Sequence, residues 1–191
     1  MSNISKTPAI NKQTKLLSFD LETNGLHGRA FAVGAVVMDF EGNVLQEFTA
    51  RARLSEKVDD WVKNNVLPAI ADMPITHDNY EDLREAFWAW YLEAKKEADY
   101  VLVNNGYPVE HRFLLDCQVA NLEERYWQHP FPLLELNSLL LITHHSSGAG
   151  KSDLKKSLDK DYIRKLHNPL EDAKMAVKLA FEAFKTAGKL G

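Results

Sequence analysis

The sequence predicts an α/β fold, a mixed sheet flanked by helices, and three observations predict it. Strand-like runs crowd the first third of the chain, later strands alternate with helices, and two segments show a clear helical apolar stripe behind a cap. With 191 residues, 45% of them apolar and 26% charged, the chain suits one domain with a full hydrophobic core.

Residues 1–13 are polar and aperiodic, so a flexible tail is expected over 1–14 and a single domain over 15–191. Residues 15–22 form the first expected strand, ended by a turn at Asn24-Gly25. Residues 30–40 are too apolar and β-branched to be other than a buried strand. Glu41-Gly42-Asn43 has the length of a hairpin turn, and residues 44–53 alternate well enough to pair as a third strand. After an irregular stretch with room for a short helix at 59–66, Asp78 and Glu81 read as a capping box. Leu83, Ala86, Phe87, Trp90, Tyr91 and Ala94 then share one helical face, with Trp88 off it. A short strand at 99–104, a helix at 109–122, a strand at 131–136 and a helix at 138–142 follow. Residues 151–165 mix Lys151, Lys155, Lys156, Lys160, Arg164 and Lys165 with acids, and read as a solvated face or as a rim for a phosphate backbone. Asn168, Pro169 and Glu171 open the last helix, whose stripe is Ala173, Ala176, Val177, Ala180, Phe181 and Phe184.

A net charge of −4 supplies no basic field for coating long nucleic acid. One cysteine excludes an internal disulfide and a cysteine-rich zinc site. No apolar run approaches membrane-spanning length and no signal-peptide core opens the chain, so a soluble, cytoplasmic protein is expected.

The chemistry centres on the end of the first strand. Alternate strand residues share a face, so Asp20 and Glu22 point the same way. Two carboxylates about 4 Å apart repel by roughly 4 kcal/mol at an effective dielectric of about 20. A cation such as Mg²⁺, which takes oxygen ligands, would relieve that repulsion; solvation at a strand end is the plainer alternative. Glu110 opens a helix just after the fourth strand, Asp172 lies in the first turn of the last helix, and His167 precedes that helix's cap. Sites in open sheets form where strands end and helices begin. Four acids and an imidazole gathered there would suit two-metal phosphodiester hydrolysis. Taken singly, each also fits a plain role: an exposed helix acid, a dipole-favoured first-turn acid, a loop histidine. His144 and His145 are adjacent and make a poor ligand pair, and His27, His77, His111 and His129 have no partner at a telling spacing.

Together these residues resemble the DEDD superfamily of 3′→5′ exonucleases, in its histidine subclass, the DnaQ-like group that includes ribonuclease T. Phe19-Asp20-Leu21-Glu22-Thr23-Asn24-Gly25-Leu26 resembles the first motif and Ala32-Val33-Gly34-Ala35-Val36 the strand after it. Val101-Leu102-Val103-Asn104-Asn105-Gly106 with Glu110-His111-Arg112-Phe113-Leu114 resembles the second, and His167 with Asp172 and Ala173 the third. Two positions depart: Glu110 stands where that family carries aspartate, and Asn104 where histidine often precedes the motif's asparagine. Asp116, the rival acid, lies six residues on and about 240° around the helix.

The resemblance implies a ribonuclease H-like fold, a five-stranded mixed sheet flanked by helices. It implies two Mg²⁺ or Mn²⁺ ions, with Asp20 bridging them, Glu22 and Asp172 completing the shell of the catalytic one, and Glu110 acting through metal-bound water. His167 would be the general base, and nucleoside 5′-monophosphates would be released from single-stranded or frayed 3′ ends of DNA or RNA. Phe31 or Tyr107 could stack on terminal bases, and either fits a place in the core equally well. The Glu110 departure leaves open a catalytically weak or inactive ribonuclease H-like module that binds nucleic acid or protein.

Overall fold

The computed structural model describes residues 9–144, 149–162 and 166–189. Its strands are β1 (Leu16–Thr23), β2 (Ala30–Met38), β3 (Val44–Arg51), β4 (Tyr100–Val103) and β5 (Leu133–Glu135), ordered β3-β2-β1-β4-β5. β1 pairs antiparallel with β2, and β2 with β3; β1–β4 and β4–β5 are parallel. The expected mixed, five-stranded sheet is therefore present. The helices are α1 (Asp60–Asn65), α2 (Tyr80–Ala94), α3 (Val109–Val119), α4 (Leu122–Arg125), α5 (Leu136–His144), α6 (Ala149–Leu158) and α7 (Pro169–Thr186).

Strand alternation sorts β1 between two cores. Leu17, Phe19 and Leu21 join Val33, Ala35 and Val37 against Leu83, Phe87 and Tyr91 of α2 and Phe113 of α3. Leu16 joins Val36, Met38 and Leu102 against Leu140 of α5 and Ala176, Val177, Ala180 and Phe184 of α7. Asp20 and Glu22 share the parity of Leu16 and so lie on the α7 face. A third cluster packs Val62, Val66 and Ile70 on Phe31 and Ala32, near the β1–β2 turn.

One close approach controls where α7 begins. Gly34 pairs with Asp20 across the β1–β2 ladder. A Cβ at Gly34 would stand 2.1 Å from the Leu170 nitrogen and 2.4 Å from its Cα, so the missing side chain lets the first turn of α7 rest on the sheet. Asn168 caps that turn, its side-chain oxygen accepting from the amides of Leu170 and Glu171.

Several expectations shift in detail. Asn79, not Asp78, caps α2, because its side chain reaches the Asp82 amide at 2.8 Å. Trp88, off the expected stripe, is buried: the α4 segment folds over that flank, with the Arg125 guanidinium 5.6 Å from the ring and Gln128 accepting from the indole N–H. The helix expected over 109–122 is interrupted into α3 and α4, and α5 starts at Leu136. The last residues of the expected tail are held to the body: Thr14 is buried and accepts from the Asn11 amide at 2.9 Å, and Ile10 packs on the α7-side core. Residues 1–8, His145, Arg164 and Lys165, and the side chains of His144 and Lys151, lie outside the described residues.

Candidate active site

The turn after β1 is clamped from both sides. The Asn24 side-chain amide donates to the Lys57 carbonyl at 3.0 Å, and its oxygen accepts from the Asp59 amide at 2.8 Å. Asp59 in turn caps α1, which carries Trp61. On the other flank Arg112 of α3 donates to the carbonyls of His27, at 2.9 Å, and Gly28. Gly25 sits at φ 78°, the left-handed turn conformation that glycine adopts without steric cost. The end of β1 is thereby fastened to α1 and α3.

Above it lie the acids. Ligand oxygens of Asp20, Glu22 and Asp172 fall within 4.8 Å of one another, although Asp172 is 150 positions away from Glu22 in the chain. Burial pushes the Asp20 carboxyl well up from its ordinary value, and Asp172, Glu110 and Glu22 push it further. Glu22 is pushed up to about 8 by burial and by Asp172. The Asp172 carboxyl is raised by burial and pulled back by the Tyr162 hydroxyl, Lys155 and His167. Such a set is short of positive charge. All its donors are hard carboxylate oxygens, the set that suits Mg²⁺ or Mn²⁺, and the mutual repulsion is what a divalent ion would relieve.

Glu110 is buried at 5% exposure on the first turn of α3 and acts electrostatically on Asp20, but it stands outside the tight trio. Asp116 is no rival, because it faces the opposite flank and accepts the Tyr80 hydroxyl at 2.6 Å. His167 is half-buried at φ 65°, an uncommon conformation for a residue with a Cβ. It directs its backbone N–H at the second oxygen of Asp172, at 3.1 Å, while its ring meets Trp61 edge-on at 5.3 Å.

Three neighbours escaped the sequence reading. Lys155 belongs to the run read as a solvated face or a rim for a phosphate backbone, yet it is half-buried, and its charge acts on Asp172 and Asp20. Tyr162 is buried at 2% exposure and donates its hydroxyl to Asp172. Trp61 is 56% exposed beside His167. A tyrosine in a lysine-rich run was the available signal, but nothing local says which way either side chain turns. Of the suggested stacking residues, Phe31 is excluded: it is 2% exposed, packed under α1, whereas Tyr107 is 78% exposed.

No protein-family model matches the sequence, and no curated protein sequence does. Solved structures do match. The nuclease domain of 3′hExo, a DEDDh family member bound to rAMP, superposes at a TM-score of 0.66 with 13% identity, covering 94% of this chain and 96% of that one. Exonuclease I of E. coli in complex with a dT13 oligonucleotide gives 0.65 with 15% identity over 92% of this chain; the match spans 42% of that longer chain. Exonuclease X in complex with 5′ overhanging duplex DNA gives 0.54 with 15% identity, covering 91% and 93%. The chain thus has the ribonuclease H-like fold of DEDDh exonucleases, with an acidic cluster at the end of its central strand.

Proposed function

We propose that this protein is a metal-dependent 3′→5′ exonuclease that hydrolyses single-stranded or frayed 3′ ends to nucleoside 5′-monophosphates. The observation that carries the reading is the convergence of Asp20, Glu22 and Asp172 within 4.8 Å, with Glu110 acting on Asp20 from α3. The fold shared with exonucleases bound to rAMP and to oligonucleotides supports it.

Asp20, Glu22, Asp172 and Glu110 would hold two Mg²⁺ or Mn²⁺ ions. Bound there, the ions supply the positive charge that stabilises the attacking and leaving oxygens of phosphodiester hydrolysis. The chain's own part is orientation and proton transfer. His167, poised beside Asp172, takes a proton from the attacking water; the new P–O bond forms as the bond from phosphorus to the 3′-oxygen breaks. Trp61 and Tyr107, both exposed, offer faces on which terminal bases stack.

The test is an end-labelled oligonucleotide incubated with Mg²⁺ or Mn²⁺, on matched DNA and RNA. A ladder shortening from the 3′ end, absent in Asp20→Ala, is expected. No ladder, or one surviving that substitution, refutes the reading. Glu110's place outside the tight trio favours a second reading, a weakly active or inactive binding module. In that case millimolar Mn²⁺ would leave the melting midpoint unmoved, since only an ion bound to the folded state raises it.

A further inference from the structure

We propose that Tyr162 is a positioning residue for Asp172, its hydroxyl aimed by Lys155; the inference rests on the metal-dependent reading above. Lys155 Nζ lies 3.1 Å from the Tyr162 oxygen and 4.7 Å from the centre of its ring. An ammonium has donors only, so this contact occupies a lone pair of the tyrosine oxygen. The phenolic proton is left to point the other way, to Asp172, with which Tyr162 is hydrogen-bonded. Polarity therefore runs in one direction, from Lys155 to Tyr162 to Asp172.

The second Asp172 oxygen accepts the His167 amide, so each carboxylate oxygen has its own donor and the group cannot swing about its Cβ–Cγ bond without losing one of them. Each oxygen keeps a further lone pair for an ion. Tyr162 itself is held: its ring is buried in the core formed by α5 and α7, among Leu140, Ala173 and Ala176. Asp172 lies in the first turn of α7, where its carboxylate can rotate about Cα–Cβ and Cβ–Cγ unless partners hold it. The hydrogen bonds restrict them before any ion arrives. Loss of such an outer partner typically weakens metal affinity about 10–100-fold.

The experiment titrates Mn²⁺ into wild type, Tyr162→Phe, Asp172→Ala and the double variant, reading bound ion by the loss of the free Mn²⁺ resonance. The phenylalanine keeps the ring packing, and the metal-free melting curve checks folding. Expected is a Mn²⁺ dissociation constant raised about 10–100-fold in Tyr162→Phe, with no additional loss when the change is made in the Asp172→Ala background, which lacks the acceptor. An equal factor in both backgrounds would mean that the hydroxyl acts on the site by a route other than Asp172, which overturns the proposal. So does a Tyr162→Phe protein that binds Mn²⁺ as tightly as wild type or more tightly, since the hydroxyl would then merely compete with the ion. Lys155→Arg, which keeps charge and donors, should bind within a few-fold of wild type. Wild-type protein that binds no Mn²⁺ sinks the nuclease reading and takes this inference with it; wild type that binds beside an unaffected Tyr162→Phe sinks this inference alone.

Discussion

Replacing Gly34 with alanine should dismantle the acid cluster without touching an acid. The new Cβ would lie 2.1 Å from the Leu170 nitrogen, where ordinary contact begins at 3.4 Å, so the first turn of α7 must retreat by about 1.3 Å. The obstacle is helix backbone, which cannot rotate aside like a flexible side chain. Two effects compete. Alanine is favoured over glycine inside a strand by roughly 0.5–1 kcal/mol. Forcing an extra methyl into a packed contact costs about 1–3 kcal/mol. The second wins, and because 1 kcal/mol moves the midpoint of a chain this size by about 2–4 °C, the melt should fall by several degrees. The effect on the site is larger. Asp172 rides on the displaced turn, and a 1 Å misplacement of reacting groups costs about 100-fold in rate. Differential scanning of wild type and Gly34→Ala with and without Mn²⁺, beside the oligonucleotide assay, reads both. A variant that melts with wild type and keeps its Mn²⁺ stabilisation would show that α7 does not bear on Gly34 as described.

Other consequences are open to direct measurement. Asp20→Asn should raise the metal-free melting midpoint, because it replaces a carboxyl whose ionised form burial, Asp172, Glu110 and Glu22 all disfavour, while abolishing stabilisation by Mn²⁺; a lowered midpoint would contradict the electrostatics. For Glu22 the folded state holds its proton up to about pH 8 against an ordinary value of 4.5, so its contribution to stability is complete below 4.5 and lost as pH rises through 8. The metal-free midpoint should therefore fall between pH 5 and 9, in the same sense as the raised Asp20, and a flat profile would refute the burial of charge. Trp61→Ala, on a 56% exposed side chain, should leave the melt unchanged and weaken oligonucleotide binding by the roughly 1–3 kcal/mol of a lost base stack. Phe31→Ala should do the reverse, costing about 3–5 kcal/mol of stability from its buried position. Equal effects of the two on binding would undo the assignment of Trp61 to the site.

Patterns that repeat over a few residues were readable in advance. Alternation in β1 places Asp20 and Glu22 on one face, the Asn168-Pro169 cap starts α7 where expected, and the helical angle separates Asp116 from Glu110. These rest on backbone geometry, which neighbours in sequence impose on one another. The inward turn of Lys155, the hydrogen bond from Tyr162 to Asp172, the left-handed backbone of His167 and the exclusion of Phe31 have no such local cause. Each follows from what packs against the residue once the sheet and helices have closed together. The sequence alone determined which acids were candidates for the site and which elements bear them. Tertiary structure alone decided how close the acids come, because the approach of α7 to the sheet is limited by contact across Gly34, between segments more than 130 residues apart.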